Sequence, residues 1–145
     1  MSLINYLTRI HFADGVSDQA LRFECAALGC KRPLIVTDTG VAAAGIVDLA
    51  RGALPSVVSP VVFEAVPGNP TEAASRAGRQ EYEDNDCDGL IAVGGGSVID
   101  LAKAIAVLAS HGEPLVSYMV VEGGLQRIRD LLPPLIAIPT TAGAG

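Results

Sequence analysis

Short runs of apolar residues recur along the chain, and longer stretches of mixed apolar and polar residues separate them. Four of the runs are rich in β-branched residues or are closed by Gly or Pro, which predicts strands at 33–37, 61–66, 89–93 and 134–138. A further short strand is expected at 9–12. The runs are continuously apolar instead of alternating, as is typical of parallel strands covered on both faces.

Helices are predicted in the stretches between the strands, over residues 16–29, 40–52, 71–85 and 97–110. Ser17 or Asp18 is expected to begin the first of them, and Gly29 to stop it. Thr71 is expected to be the N-cap of the third. Residues 111–133 are rich in glycine and proline, so we expect a loop there with one or two helical turns.

The alternation of strand and helix predicts a doubly wound, Rossmann-like α/β fold around a mostly parallel sheet. We expect one domain over residues 1–145. The net charge of −6 and the pI near 4.7 argue against nucleic acid as a partner. The sequence shows no signal peptide and no membrane-spanning run, which predicts a cytoplasmic protein with no membrane partner. Its three cysteines have no metal-binding spacing and are expected to be buried free thiols.

The ligand of a doubly wound sheet binds beyond the carboxyl ends of the strands. Four segments follow predicted strands in this way: 38–40, 67–70, 94–97 and 139–143. The third, Gly94-Gly95-Gly96-Ser97, opens a helix, where bare backbone and free N–H groups suit a pyrophosphate. The alternative is a tight turn that needs positive φ angles. The spacing matches neither G-x-G-x-x-G nor a P-loop, and Ser97 with Asp100 resembles a capping box.

Four polar residues near these segments each have a structural alternative. Asp38 could accept hydrogen bonds from a ribose, or it could cap the next helix. Asn69 lies between Gly68 and Pro70 and fits an ordinary turn. Asp100 and Lys103 share one helix face, where they could border a ligand or form an ion pair with each other.

Several other chemistries find no support in the sequence. Residues 84–89 read like the start of a calcium loop, but the twelfth position is Gly95 where a Glu is needed, so we reject calcium. His11 and His111 are the only histidines, too few for a usual zinc or iron site. No serine lies in a G-x-S-x-G elbow, and no catalytic residues are assigned.

The segments LIVTDTG (34–40), PGNPT (67–71), GLIAVGGGSVIDLAKA (89–104) and PLIAIPTTAGAG (134–145) together resemble the N-terminal half of the iron-containing, metal-dependent alcohol dehydrogenase family. The resemblance implies an NAD(P)-binding domain. Residues 94–97 would hold the pyrophosphate, and Asp38 would hold the adenine ribose and favour NAD over NADP. The cofactor-binding residues implied by the family positions are Asp38, Asn69, Gly94, Gly95, Gly96, Ser97, Asp100, Lys103, Thr140 and Thr141.

The family's second, helical domain carries the ligands for iron or zinc, and we expect it to be absent from these 145 residues. In the full-length family a small alcohol or aldehyde exchanges hydride with NAD at that metal. This chain alone is therefore expected to bind the cofactor without catalysis, and to be a homo-oligomer. Two alternatives stay open: a truncated, non-enzymatic fragment that folds and self-associates, and a binder of sugar phosphates or other nucleotides.

Overall fold

The computed structural model describes residues 8–129 and 131–142, and these form a four-stranded parallel sheet. The strands are β1 (Pro33–Val36), β2 (Val61–Phe63), β3 (Gly89–Gly94) and β4 (Leu135–Pro139), in the order β2-β1-β3-β4. All three strand pairs are parallel. The doubly wound, Rossmann-like fold class expected from the sequence is confirmed.

In the described residues, five α-helices surround the sheet: α1 (Ser17–Ala27), α2 (Thr39–Ala43), α3 (Ile46–Ala53), α4 (Glu72–Asp84) and α5 (Gly96–His111). They cover both faces, and each face has its own apolar core. Alternate strand residues such as Leu34 and Leu90 pack with α5, whereas Ile35 and Ile91 pack with α1 and α3. Burial on both faces explains why the strands are continuously apolar.

The order of the strands places a switch point between β1 and β3. The chain leaves β1 and returns as β2 on one side, and it leaves β3 and returns as β4 on the other. The two connections therefore diverge at the carboxyl ends of these central strands. This divergence opens the crevice in which doubly wound proteins bind their ligands.

Two predicted elements are wrong. The helix expected over 40–52 is broken into α2 and α3, because Gly45 lies between them with a φ of 77°. Residues 9–12 are not a strand. Arg9 and His11 instead contact the buried carboxylate of Glu24 on α1, each at 2.7 Å.

Some boundaries also differ from the prediction. Strand β2 ends at Phe63, and Ala65 forms only an isolated antiparallel bridge with Asp38 as the chain turns into the next loop. Helix α1 begins at Ser17, but its N-cap is Val16 and no side chain caps it. Gly29, with a φ of 67°, follows its C-cap as expected.

The predicted cap of α4 is confirmed: the Thr71 hydroxyl accepts a hydrogen bond from the Ala74 N–H at 3.1 Å. The loop expected at 111–133 contains three short 3₁₀ helices, Leu115–Tyr118, Val120–Glu122 and Gly124–Gln126. No helix in the described part of the chain is long and apolar enough to cross a membrane.

The three cysteines are buried and unpaired, as expected from the sequence. Burial, followed by the negative charge of Asp88, raises the pKa of Cys87 to about 11. Burial also raises the pKa of Cys25 and Cys30. These thiols are therefore protonated at neutral pH and act as small apolar side chains in the core.

Candidate functional site: a cleft at the carboxyl ends of the strands

A cleft of about 540 Å³ lies at the carboxyl ends of the strands. That volume is typical of a small-molecule site. Three loops and the first turns of two helices line it. The lining residues are Asp38, Thr39, Val41, Val66, Pro67, Gly68, Gly95, Gly96, Ser97, Val98, Thr140 and Thr141.

The amino end of α5 forms one wall of this cleft. Its N-cap is Gly95, and no side chain caps it. The Val98 and Ile99 N–H groups both bond to the Gly95 carbonyl, at 3.1 Å each. Helix geometry leaves the N–H groups of Gly96 and Ser97 without a partner in the helix. A 16-residue helix adds a partial positive charge here, so this wall is suited to an anion.

The three consecutive glycines have different roles. None has a positive φ, so the alternative of a turn that requires the left-handed region is wrong. A Cβ on Gly94 would lie 2.5 Å from Val98 Cγ2, so Gly94 allows α5 to pack closely on β3. A Cβ on Gly96 would meet no atom within 4 Å. Gly96 therefore leaves open backbone on the cleft wall, where a phosphate could approach.

Ser97 joins two walls of the cleft. Its hydroxyl donates a hydrogen bond to the Gly68 carbonyl at 2.6 Å, which ties the loop after β2 to the start of α5. The capping box expected between Ser97 and Asp100 does not form, because the Ser97 hydroxyl is directed to Gly68 and Asp100 pairs with Lys103. The second pair has an N–O distance of 3.1 Å, and both side chains are largely exposed.

Asp38 lies at the opposite wall, two residues after the end of β1. Its Oδ1 accepts a hydrogen bond from the Val41 N–H at 2.9 Å, so the capping alternative is confirmed. A carboxylate has a second oxygen with acceptor capacity. Asp38 can therefore cap α2 and still accept a hydrogen bond from a ligand in the cleft.

The remaining wall is formed by the loop that follows β4. The Thr140 N–H donates to the Gly94 carbonyl at 3.0 Å, which holds this loop beside the glycine turn. A Cβ on Gly95 would lie 3.4 Å from the Thr141 side chain. Thr140 and Thr141 therefore line the cleft beside the glycine turn.

Six of the ten sequence-predicted residues line the cleft, namely Asp38, Gly95, Gly96, Ser97, Thr140 and Thr141. The other four do not line it. Asn69 is exposed in its turn, Gly94 is buried beneath the wall, and Asp100 and Lys103 pair on the outer surface of α5. Sequence reasoning missed Val41, Val66 and Val98 as lining residues. Only their closeness to the ends of strands could have suggested them.

A dinucleotide fits this set of groups. Of the described residues that line the cleft, only Asp38 carries a charge. An anionic pyrophosphate would therefore be held by backbone N–H groups and the helix dipole. A metal ion has no comparable place in the part of the chain that the structure describes, since no three His, Cys, Asp or Glu side chains there form a group that could hold one.

The sequence of this chain matches a known protein family and its members. The family described as iron-containing alcohol dehydrogenase matches residues 8–145. A 4-hydroxybutyrate dehydrogenase from Cupriavidus necator is 50% identical over 145 residues, which is 100% of this chain and 37% of that protein. This chain thus spans little more than a third of the length of that relative.

The fold of this chain also matches solved structures of alcohol and aldehyde oxidoreductases. The crystal structure of a 1,3-propanediol oxidoreductase has a TM-score of 0.81 and 30% identity, covering 91% of this chain and 34% of the other. A sulfoacetaldehyde reductase from Bifidobacterium kashiwanohense, solved in complex with NAD⁺, has a TM-score of 0.78 and 26% identity, covering 99% and 37%. This chain belongs to the iron-containing alcohol dehydrogenase family.

Proposed function

We propose that this chain is the NAD-binding part of an alcohol dehydrogenase that transfers hydride between a small alcohol or aldehyde and the nicotinamide. The observation that carries the proposal is the cleft at the switch point, with the uncapped amino end of α5 on one wall and Asp38 on the other. The pyrophosphate would lie against the N–H groups of Gly96 and Ser97. The ribose would bond to Asp38.

Asp38 also supports NAD rather than NADP as the cofactor. A 2′-phosphate on the ribose would lie next to its carboxylate, and no Lys or Arg is among the described lining residues to compensate. Asn69, Asp100 and Lys103 support the site only indirectly. Asn69 is next to Gly68, which Ser97 binds, and the pair of Asp100 and Lys103 lies on the second turn of α5.

The oxidation itself is proposed for the whole protein. In this family an iron or zinc ion polarises the alcohol oxygen, and the sequence resemblance assigns its ligands to a helical domain outside these residues. The 145-residue chain is therefore expected to bind NAD without oxidising an alcohol. The relative that acts on 4-hydroxybutyrate makes a hydroxy acid of that size the first substrate to test on the whole protein.

The proposed homo-oligomer has one supporting feature. The 3₁₀ segments expose apolar side chains, among them Val116, Met119, Val120 and Val121, which are 51–82% exposed. Such a group of side chains is a common feature of association surfaces. Sedimentation of the purified chain at several concentrations would test self-association.

A fluorescence titration of NADH into the purified 145-residue chain tests the proposed function, with NADPH as the matched ligand. Circular dichroism first establishes that the chain is folded. Saturable binding of NADH, with weaker binding of NADPH, is the expected result.

A folded chain that binds neither dinucleotide would contradict the proposal and favour a fragment that self-associates. A chain that binds sugar phosphates more tightly than NADH would favour the alternative of a protein that binds sugar phosphates or other nucleotides.

A further inference from the structure

Thr37 is a polar residue in the centre of the fold that the proposed function does not use. It follows the last residue of β1, and its side chain is 0% exposed. Its hydroxyl donates a hydrogen bond to the Val93 carbonyl at 2.8 Å, while the Asp38 carbonyl lies farther away, at 3.5 Å. A buried hydroxyl needs such a partner, but a valine of the same shape could fill this place without one.

The position of this bond is unusual. The last register pair between β1 and β3 joins Val36 to Ala92. One residue later the main chains separate: the Thr37 N–H donates to the Phe63 carbonyl beside β2, while β3 continues to pair with β4. The Thr37 hydroxyl crosses the gap between β1 and β3 at the point where the sheet divides.

The two residues that this bond joins lead directly into opposite walls of the cleft. Asp38 follows Thr37, and Gly94 follows Val93 at the start of the glycine turn. The bond therefore lies at the base of both walls, where it can fix the distance between the Asp38 carboxylate and the amino end of α5. A ligand that touches both walls depends on that distance, because its two contacts must form together.

We propose that Thr37 is a positioning residue that sets the separation of the two walls and so the affinity for a dinucleotide. This inference rests on the proposed function for its ligand. Thr37 touches no ligand itself, since it is buried beneath the cleft and is not among the residues that line it.

Two variants isolate the hydroxyl. Thr37→Val keeps the shape and removes the hydrogen bond, and Thr37→Ser restores the hydroxyl. Ser75→Ala is the matched control, because Ser75 is 1% exposed and its hydroxyl donates to the Thr71 carbonyl at 3.0 Å, outside the cleft. Each variant is titrated with NADH, ADP-ribose and inorganic pyrophosphate, and thermal unfolding is recorded beside each titration.

Thr37→Val is expected to weaken NADH and ADP-ribose by about tenfold, the effect of one buried hydrogen bond. Pyrophosphate, which needs only the α5 wall, should bind as before. Thr37→Ser should recover most of the affinity for ADP-ribose, and Ser75→Ala should lose stability without losing affinity. Equal losses for ADP-ribose and pyrophosphate, or no loss for either, would overturn the inference.

Amide hydrogen exchange without any ligand separates this inference from the proposed function. The Val41 N–H bonds to Asp38 on one wall, and the Thr140 N–H bonds to Gly94 on the other. Thr37→Val should speed exchange at both amides, and Thr37→Ser should not. If the wild-type chain binds no dinucleotide, the proposed function fails, but the exchange rates still decide whether Thr37 holds the walls together. Exchange rates unchanged in Thr37→Val would contradict that role.

Discussion

Asp38 and Asp88 lie at opposite ends of the two central strands, and their surroundings differ. Asp88 precedes β3 and accepts hydrogen bonds from the Lys31 N–H at 2.7 Å, the Arg32 N–H at 2.9 Å and the Cys30 thiol at 3.2 Å. Asp38 follows β1 and accepts one, from Val41. The carboxylate at the amino end of the sheet thus accepts three hydrogen bonds from the protein, whereas the one at the carboxyl end accepts a single bond and keeps capacity for a ligand.

The two ends of the sheet differ in the same way as the two carboxylates. At the amino end, Asp88 already accepts hydrogen bonds from two backbone amides and the Cys30 thiol. At the carboxyl end, the connections diverge and leave bare backbone at Gly96 and an acceptor at Asp38. A site therefore forms where the fold leaves hydrogen-bonding groups without partners, and a similar residue elsewhere only stabilises the fold.

Of the substitutions considered, Gly96→Asp should have the largest effect on NADH affinity. A Cβ at Gly96 meets no atom within 4 Å, and an acidic residue in the first turn of a helix is favourable, so the chain should stay folded with an unchanged or higher melting temperature. The new carboxylate would lie where the pyrophosphate binds. NADH affinity should fall by about 100-fold or more by titration.

Gly96→Ala is the matched control, since it adds a Cβ without charge. It should lose much less affinity than Gly96→Asp. Equal NADH affinity in Gly96→Asp and wild type would show that the α5 wall does not hold the dinucleotide.

Gly94→Ala should instead damage the fold. Its Cβ would lie 2.5 Å from Val98 Cγ2 and 2.8 Å from Val98 Cβ, so either strand or helix must shift. We expect a loss of about 1–3 kcal/mol in the free energy of unfolding, measured with denaturant. Adding Val98→Ala should recover part of that loss; a double variant no more stable than Gly94→Ala would argue against this contact as the cause.

Asp38→Asn should change the choice of cofactor. An amide oxygen can still accept the Val41 N–H bond, so the cap on α2 is kept while the charge is removed. The affinity for NADPH relative to NADH should rise by about tenfold, because the 2′-phosphate no longer meets a carboxylate. An unchanged ratio in paired titrations would place the ribose away from Asp38.

Asp88→Asn should have the smallest effect of these substitutions, a small loss of stability with no change in NADH affinity. Burial acts to raise the pKa of Asp88, but the hydrogen bonds from Lys31, Arg32 and Cys30 outweigh it, and the pKa is lowered from 3.8. The carboxylate therefore stabilises the fold above pH 4, and this contribution is lost as the pH falls through its folded pKa. We expect the variant to lose about 1 kcal/mol or less at pH 7, because the residue is exposed.

As the pH falls below the lowered folded pKa of Asp88, the stabilities of Asp88→Asn and wild type should converge. NADH affinity at pH 7 should be unchanged in the variant, in contrast to Asp38→Asn and Gly96→Asp. A large loss of affinity would mean that the amino end of the sheet also contributes to the site.

The fold could be predicted largely from the sequence, because buried parallel strands leave a strong pattern of apolar runs. The four main strands and the cap at Thr71 follow from that pattern and from local chemistry. The break at Gly45 did not follow, because the residues on both sides of it have helical character and only the positive φ separates α2 from α3. The strand expected at 9–12 failed because Arg9 and His11 contact Glu24, which is distant in sequence.

The site could be predicted to the level of segments but not of side chains. Position at the end of a strand correctly brought Asp38, Gly96 and Thr141 to one cleft. The sequence could not show that Ser97 would bond to Gly68, 29 residues earlier, instead of capping its own helix. The role of Thr37 was also hidden, because its partner Val93 is 56 residues away and belongs to another strand.

An NMR titration of the ¹⁵N-labelled chain with NADH would show directly which end of the sheet binds the dinucleotide. If the carboxyl end binds the dinucleotide, the largest shift changes will fall on the amides of Gly95, Gly96 and Ser97, and those of Lys31 and Arg32 will stay unchanged. Changes concentrated at Lys31 and Arg32, or no saturable change at the glycine turn of a folded chain, would contradict the claim that the carboxyl end binds the dinucleotide.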